Sequence, residues 1–366
     1  MKQGTYFWFD IEIPKSVLFY RPMIKEIQAR GYKVLITTRG GDGYKELEEL
    51  MQLYFPEDDV FSIGVFGGSS KKGKLIASIE RQTGLLEFVS NYNILKLITL
   101  CSVDATRVAF GLGIEVINFY DIPLSDYNEN FKKALPQARL TLPLSTKVFK
   151  PFVVPNNIFR RFSLDDDQII DYQFIDPLIW LKDFKVDHVY AHSIIKKLFS
   201  DTSLPLIVLR EEEYKASYVD KKFPILYEAL EEIYNKSNAN ILIIPRYEVN
   251  YLKETFPFAH VLEEKIEIQH LLAVADLFIG GGGTINTEAC YFGTPTISTR
   301  SFICHYDKFQ IDSNLMFWVT TSQELVTKVQ ASLGKRNDDL AKKVFGAMTV
   351  DINYIVDNII QTDKSL

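Results

Sequence analysis

Cysteine is scarce in this 366-residue chain: Cys101, Cys290 and Cys304 are its three. An odd count without metal-ligand spacing argues against a disulfide framework and predicts a reduced, cytosolic setting. His188 and His192, two of five histidines, stand four apart. No Glu follows His188 and no third ligand is evident, so no metal site is expected. Long hydrophobic runs are missing too, none approaching the roughly 20 residues that span a bilayer. The opening Met1–Asp10 turns polar too early for a signal peptide. A soluble, cytoplasmic protein is expected, with peripheral membrane contact left open. Positive charge is in deficit, 41 Lys and Arg against 47 Asp and Glu, for a net charge of −6. That balance argues against a nucleic-acid carrier. Neither a Gly-x-Ser-x-Gly motif nor a Cys/His nucleophile pattern occurs.

What remains is ordinary globular composition, 47% hydrophobic and 24% charged, at a length that suggests two domains sharing a cleft. Short β-branched and aromatic runs alternate with amphipathic ones. Strands are expected at residues 6–11, 34–37, 60–63, 94–100 and 114–119. Helices are expected between them, the first N-capped by Ser16 and stopped by Gly31. Pro143, Pro151 and Pro155 then break the rhythm, and 150–200 reads as the end of the first domain plus a linker. Alternation resumes with strands at 206–209, 241–244 and 260–262, and helices at 222–234, 268–274, 322–333 and 338–360. Strict β-α alternation predicts parallel sheets with helices on both faces and ligands at the strands' carboxyl ends.

One stretch organises the rest. Ala275–Ile297 reads as buried strand, four-glycine turn (Gly280–Gly283), short helix, glycine stop at Gly293 and second strand. Glycines permit positive φ and close approach of a ligand. The helix that follows aims its free N–H groups and positive dipole end into the turn, which makes an anion site. Glu288, one turn in, is placed to reach a ribose. Ser102–Gly111 echoes Gly283–Gly293 in plan, as expected for two similar halves.

Arg210 and Arg246 close two strands on the same edge as the glycine turn, and a guanidinium grips two phosphate oxygens at once. The competing reading is ion pairing with Glu211 to Glu213 or Glu248. In the first half, Asp10 and Glu12 end one strand and Asp121 another, candidates for a general base or for holding sugar hydroxyls. Gly68–Leu75 nearly matches a P-loop, but Leu75 stands where that motif needs a Ser or Thr for Mg²⁺. A basic loop is expected there instead. Asp165–Asp167 reads as a helix N-terminus. His305 and Asp307 are expected in a loop covering a bound sugar.

Several runs together resemble one family. Asp10–Pro14 through Arg21-Pro22, Gly31–Arg39, Arg107–Gly113, Asp121–Pro123, Leu140–Pro143, Val208–Arg210, Ile244–Arg246 and Gly283-Thr284…Glu288-Ala289…Gly293–Pro295 resemble domain of unknown function 354. That family is similar to the glycosyltransferase-B superfamily, which includes the peptidoglycan N-acetylglucosaminyl transferase and the non-hydrolysing UDP-N-acetylglucosamine 2-epimerase. The resemblance implies two Rossmann-like α/β domains facing a cleft, a nucleotide sugar in the C-terminal one, and neither metal nor cofactor. It implies backbone donors from Gly282, Gly283, Thr284 and Ile285 to a diphosphate, Gly281 in the same nucleotide-sugar site, Glu288 on the ribose, and Asp307 and Gln310 on sugar hydroxyls. The epimerase's Arg-Thr-Glu-Arg run is absent, Arg300-Ser301-Phe302 standing near its place, so sugar transfer is expected ahead of epimerisation.

The domains expected are 1–185 on the acceptor side, 186–345 for the UDP-type sugar nucleotide, and 346–366 as a closing helix. The expected function is metal-independent glycosyl transfer to a carbohydrate or lipid-linked acceptor, in cell-surface polysaccharide biosynthesis. Asp10, Asp121 and Glu12 are the catalytic candidates. A sugar-nucleotide epimerase and a non-catalytic nucleotide-sugar binder are the alternatives, and the sequence says nothing of oligomeric state.

Overall fold

The computed structural model describes residues 4–41, 43–56, 58–68, 70–212, 224–246 and 249–361. The chain divides into two compact units. One holds Met1–Leu124, Glu129–Trp180 and Thr349–Leu366, the other Ser125–Asn128 and Leu181–Met348. Each is a parallel sheet with helices.

The first unit opens with β1 (Thr5–Ile11), α1 (Pro14–Ala29), β2 (Lys33–Thr38), α2 (Lys45–Tyr54) and β3 (Val60–Ser62). It continues with α3 (Lys71–Val89), β4 (Asn93–Thr99), α4 (Val103–Gly111), β5 (Glu115–Phe119) and α5 (Pro136–Thr141). Then come β6 (Lys147–Pro151), α6 (Asn156–Arg160), β7 (Ile169–Tyr172) and α7 (Leu178–Leu181). Among the described residues the strand order is β3-β2-β1-β4-β5-β6-β7, so the winding reverses between β1 and β4. Trp8, Leu35, Leu97 and Val116 line up on one sheet face with Leu85 and Val89 of α3 and Ala105 and Ala109 of α4. Burying each large side chain of such a cluster is worth about 1.5–3 kcal/mol.

Within the stretch 150–200 β7 extends the sheet beside β6, and the buried Lys150 pairs with Asp171 at 2.6 Å. Two expectations about helices are corrected. Ser16 is not an N-cap; α1 begins at Pro14, and Ser16 Oγ donates to the carbonyl of Ile13 at 2.6 Å from within the first turn. Proline suits that first helical position because it has no N–H to leave unpaired. The expected single helix over 338–360 is two.

The second unit holds α8 (His188–Leu198), β8 (Leu206–Arg210), α9 (Ile225–Ser237), β9 (Asn240–Ile244), α10 (Val249–Thr255) and β10 (His260–Val261). It goes on through α11 (Ile268–Val274), β11 (Leu277–Gly280), α12 (Gly283–Tyr291), β12 (Thr296–Ser298), α13 (His305–Asp312) and β13 (Met316–Trp318). It closes with α14 (Ser322–Ser332) and α15 (Asp338–Gly346), and α16 (Ile352–Ile360) returns to the first unit. Asp351 caps α16 by accepting from Tyr354 N at 2.8 Å, after the break at Thr349 and Val350. The order is β10-β9-β8-β11-β12-β13, reversing between β8 and β11. Ile207, Leu209, Ile241, Ile243, Leu277 and Ile279 bury one face. Leu206, Val208, Leu242, Ile244 and Phe278 bury the other. Continuous apolar runs that send successive side chains to opposite buried faces are what a sheet covered on both sides requires.

Among the described residues no helix is long and apolar enough to cross a membrane.

Candidate functional site

The four-glycine turn leaves the carboxyl end of β11, beside β8, where the second sheet changes winding direction. That is the position where open α/β sheets bind ligands. Gly280 pairs in register with Arg210, and Gly281 N donates to the Arg210 carbonyl at 2.9 Å.

The reason for glycine here differs from expectation. None of Gly280–Gly283 has a positive φ; the left-handed glycine of the stretch is Gly293, at φ 73°, which ends the helix. A Cβ on Gly280 would lie 2.1 Å from Asn286 Oδ1, and one on Gly281 only 2.4 Å from the backbone N of Glu212. These two are glycine because the turn is pressed against its neighbours. A Cβ on Gly282 would instead lie 3.7 Å from Arg246 Nη2, and one on Gly283 3.6 Å from Arg300 Nη1. The mouth of the turn is therefore bordered by two guanidinium groups.

Arg210 and Arg246 are tied crosswise. Arg210 Nη1 donates to the carbonyl of Pro245 at 2.8 Å, and Arg246 Nε to that of Glu211 at 3.2 Å. Each arginine thus braces the end of the other's strand. Glu213 and Glu248, two of their expected ion-pair partners, lie outside the described residues.

Gly282 is the N-cap of α12 and has no side chain to cap it. The echo in the first unit is instructive. There α4 follows β4, also at a winding reversal, but Ser102 caps it by accepting from Ala105 N at 3.3 Å. The first turn of α4 also carries the buried Asp104, which accepts from Arg39 Nη2 at 2.8 Å. One helix start is closed by its own serine and acid; the other is left without a side-chain cap, beside arginine. Positive ends of this kind hold anions.

Glu288 is buried on α12, its carboxylate accepting from Gln269 Nε2 at 3.1 Å. Thr284 and Ile285 in the first turn are half-buried.

Asp307 and Gln310 are not where a sugar-covering loop would put them. They lie in α13 and are fully buried. Asp307, in the first turn, accepts from Cys304 N at 3.0 Å and from Arg300 Nη1 at 2.7 Å. Gln310, three residues on, donates to Thr287 Oγ1 at 3.0 Å. Asp307 Oδ2 and Gln310 Nε2 make these bonds, while Asp307 Oδ1 and Gln310 Oε1 are buried without a hydrogen-bond partner among the described residues. Arg300, by contrast, comes forward: it is buried, anchored by Asp307, and stacked 4.0 Å above the Phe302 ring. Its place near the epimerase's missing arginine run was the available signal. Glu212 was also hidden. It accepts from Ser301 Oγ at 2.8 Å, and burial pushes its carboxyl above the usual range against those hydrogen bonds.

In the first unit the expected acids are present at the sheet's carboxyl edge, but held. Asp10 is buried and accepts from Thr37 Oγ1 at 2.5 Å and from Arg81 Nη2 at 2.7 Å. Burial alone would raise its pKa; the Arg81 charge and hydrogen bonds outweigh it and hold the carboxyl below the ordinary value. Asp10, a candidate general base from its strand-end position, is held here as a buried ion by Thr37 and Arg81. Glu12 accepts from Arg81 at 2.7 Å and from Arg39 at 2.9 Å. Lys15 Nζ lies 2.5 Å from both Asp121 and the fully buried Asp176. Burial would depress this lysine's pKa, and the two carboxylates reverse the shift. Arg81 and Lys15, 71 and 106 residues from their acid partners, carried no sequence signal for these roles.

In the P-loop-like run Ser70 caps α3, accepting from Gly73 N at 3.0 Å, while Gly67 and Gly73 pack backbone to backbone. Ser69 lies outside the described residues. Asp165 precedes a short 3-10 turn, as a helix start would. Among the described residues no group of three or more His, Cys, Asp or Glu is gathered as metal ligands.

The family described as "Protein of unknown function (DUF354)" matches residues 6–362. An uncharacterized protein of Methanocaldococcus jannaschii is 30% identical over 333 residues, 90% of this chain and 92% of that one. Solved structures share the fold, two of them as follows. The Methanocaldococcus jannaschii UDP-GlcNAc 2-epimerase in complex with UDP-GlcNAc and UDP superposes with a TM-score of 0.69, 14% identity and coverage of 93% and 98%. The glycotransferase of kitacinnamycin does so at 0.62, 13% identity, and 98% and 99%. The fold is GT-B.

Proposed function

We propose, for a chain that belongs to the DUF354 family, that the second unit binds the diphosphate of a nucleotide sugar at the start of α12 and that the protein is a glycosyltransferase. The observation that carries this reading is the α12 N-terminus without a side-chain cap, bordered by the guanidinium groups of Arg246 and Arg300. In transfer, an acceptor hydroxyl oxygen bonds to the sugar's anomeric carbon and gives its proton to a carboxylate, while the bond from that carbon to the diphosphate oxygen breaks and the diphosphate leaves with the electron pair. Two arginines and the oriented N–H groups of Gly283, Thr284 and Ile285 meet that growing charge electrostatically. A positive environment of this kind supplies what a divalent cation supplies elsewhere, which supports metal-independent transfer. A UDP-type donor is favoured by the likeness to an epimerase bound to UDP-GlcNAc and UDP. Of the first unit's acids, Glu12 and Asp121 keep partial exposure, 16% and 19%, and are the proposed proton acceptors in place of Asp10.

Epimerisation is the second reading, favoured by the same likeness to a UDP-GlcNAc 2-epimerase across 98% of that chain. Calorimetric titration with UDP, GDP, TDP and their sugars tests the binding reading, since a ligand of the native state also raises the melting temperature by mass action. If no nucleoside diphosphate binds, the reading falls. Turnover of a bound sugar nucleotide with no acceptor present, seen by proton NMR, would replace transfer with epimerisation.

A further inference from the structure

The outward face of α3 is apolar where a surface helix is normally polar. Leu75 is 62% exposed, Ile79 56% and Leu86 43%. At about 100° per residue these three fall within roughly 40° of one line along the 19-residue helix. Exposed apolar patches of this kind mark interaction surfaces.

The charges beside the stripe are sorted by end. Lys71, Lys72 and Lys74 lie at its N-terminal end, and Glu80 and Glu87 further along, all exposed. None of the five has an ion-pair partner among the described residues. Lys72 and Glu87 stand on the same flank, about 22 Å apart at 1.5 Å per residue. A twofold axis crossing the stripe near Ile79 pairs two copies of α3 antiparallel. In that pairing residues on one flank meet the same flank of the other helix. Lys72 then faces Glu87 of the partner subunit, reciprocally, while Leu75, Ile79 and Leu86 close on one another.

We infer that α3 is the contact helix of a homodimer, sealed by the apolar stripe and two Lys72–Glu87 pairs. A lipid surface fits less well. An anionic membrane attracts lysines but repels Glu80 and Glu87, and the whole chain carries a net charge of −6. The inference stands apart from the nucleotide-sugar reading.

Sedimentation velocity and light scattering over a concentration series provide the test. The wild-type chain is expected at twice its 42.1 kDa monomer mass. Ile79→Glu, at an exposed position that leaves the core untouched, is expected to give a folded monomer by circular dichroism. Lys72→Glu and Glu87→Lys each set like charges together and are expected to raise the dimer dissociation constant by at least about tenfold. The double swap Lys72→Glu/Glu87→Lys is expected to restore the dimer. A wild-type monomer at every concentration, a dimer indifferent to Ile79→Glu, or a double swap that fails to restore association overturns the inference. So does pelleting of the monomer with phosphatidylserine vesicles that Ile79→Glu abolishes, which would assign the stripe to a lipid surface.

Discussion

Arg246 Nη2 stands 3.7 Å from the point that a Cβ on Gly282 would occupy, so a side chain from the end of β9, two strands away, borders the uncapped start of α12. Removing that guanidinium takes away charge-assisted hydrogen bonds worth about 1.5–3 kcal/mol each. Arg246→Ala is therefore expected to weaken binding of UDP or its sugar by roughly 10- to 100-fold. Arg246→Lys is expected to recover part of it, because an ammonium keeps the charge but loses the bidentate fork. Calorimetric titration checks both, and an unchanged affinity in Arg246→Ala would remove this residue from the site.

Neighbouring glycines are expected to behave differently. A Cβ on Gly281 would meet the backbone of Glu212 at 2.4 Å, and backbone cannot swing aside. Gly281→Ala is expected to cost about 1–3 kcal/mol of stability by overpacking. Gly282→Ala, with only ordinary contact at 3.7 Å, is expected to keep its stability while losing affinity for a diphosphate. Urea unfolding of the two variants side by side decides the point.

Asp10 and Arg81 make the first unit sensitive to acid. The folded pKa of Asp10 lies below its unfolded value. Its contribution is thus fully present above the unfolded pKa, near 3.9, and is lost as pH falls through the depressed folded value. Asp10→Asn is expected to flatten the acid limb of the stability curve. Arg81→Met leaves two buried or half-buried acids short of their cation and is expected to cost about 3–5 kcal/mol at neutral pH. Thermal melts between neutral and acid pH provide the comparison.

The thiols are expected to be inert. Burial pushes Cys101, Cys290 and Cys304 each up to about 12. Because the thiolate is the reactive form, native protein at pH 8 is expected to react slowly with iodoacetamide and to label at all three positions only after unfolding. Mass spectrometry of pulse-labelled protein reads this directly. Fast native labelling at Cys101, the least buried of the three, would contradict it.

Much was legible in the chain before it folded. Short continuous apolar runs separated by helical ones could bury both faces in parallel sheets, so two doubly wound units followed from local pattern. The glycine turn, its helix and the stop at Gly293 were readable for the same reason: each is set by residues within one turn of each other. The tertiary structure decided what depends on distant partners. Lys147–Pro151 and Ile169–Tyr172 are strands because β5 is there to pair with β6, and β6 with β7, not because their short mixed sequences demand it. Asp10 is a structural ion because Arg81 arrives from α3. Asp307 and Gln310 are buried because α13 turns them inward, onto Arg300 and Thr287. A carboxylate's chemistry is set by the charges folding brings beside it, and sequence spacing does not record them.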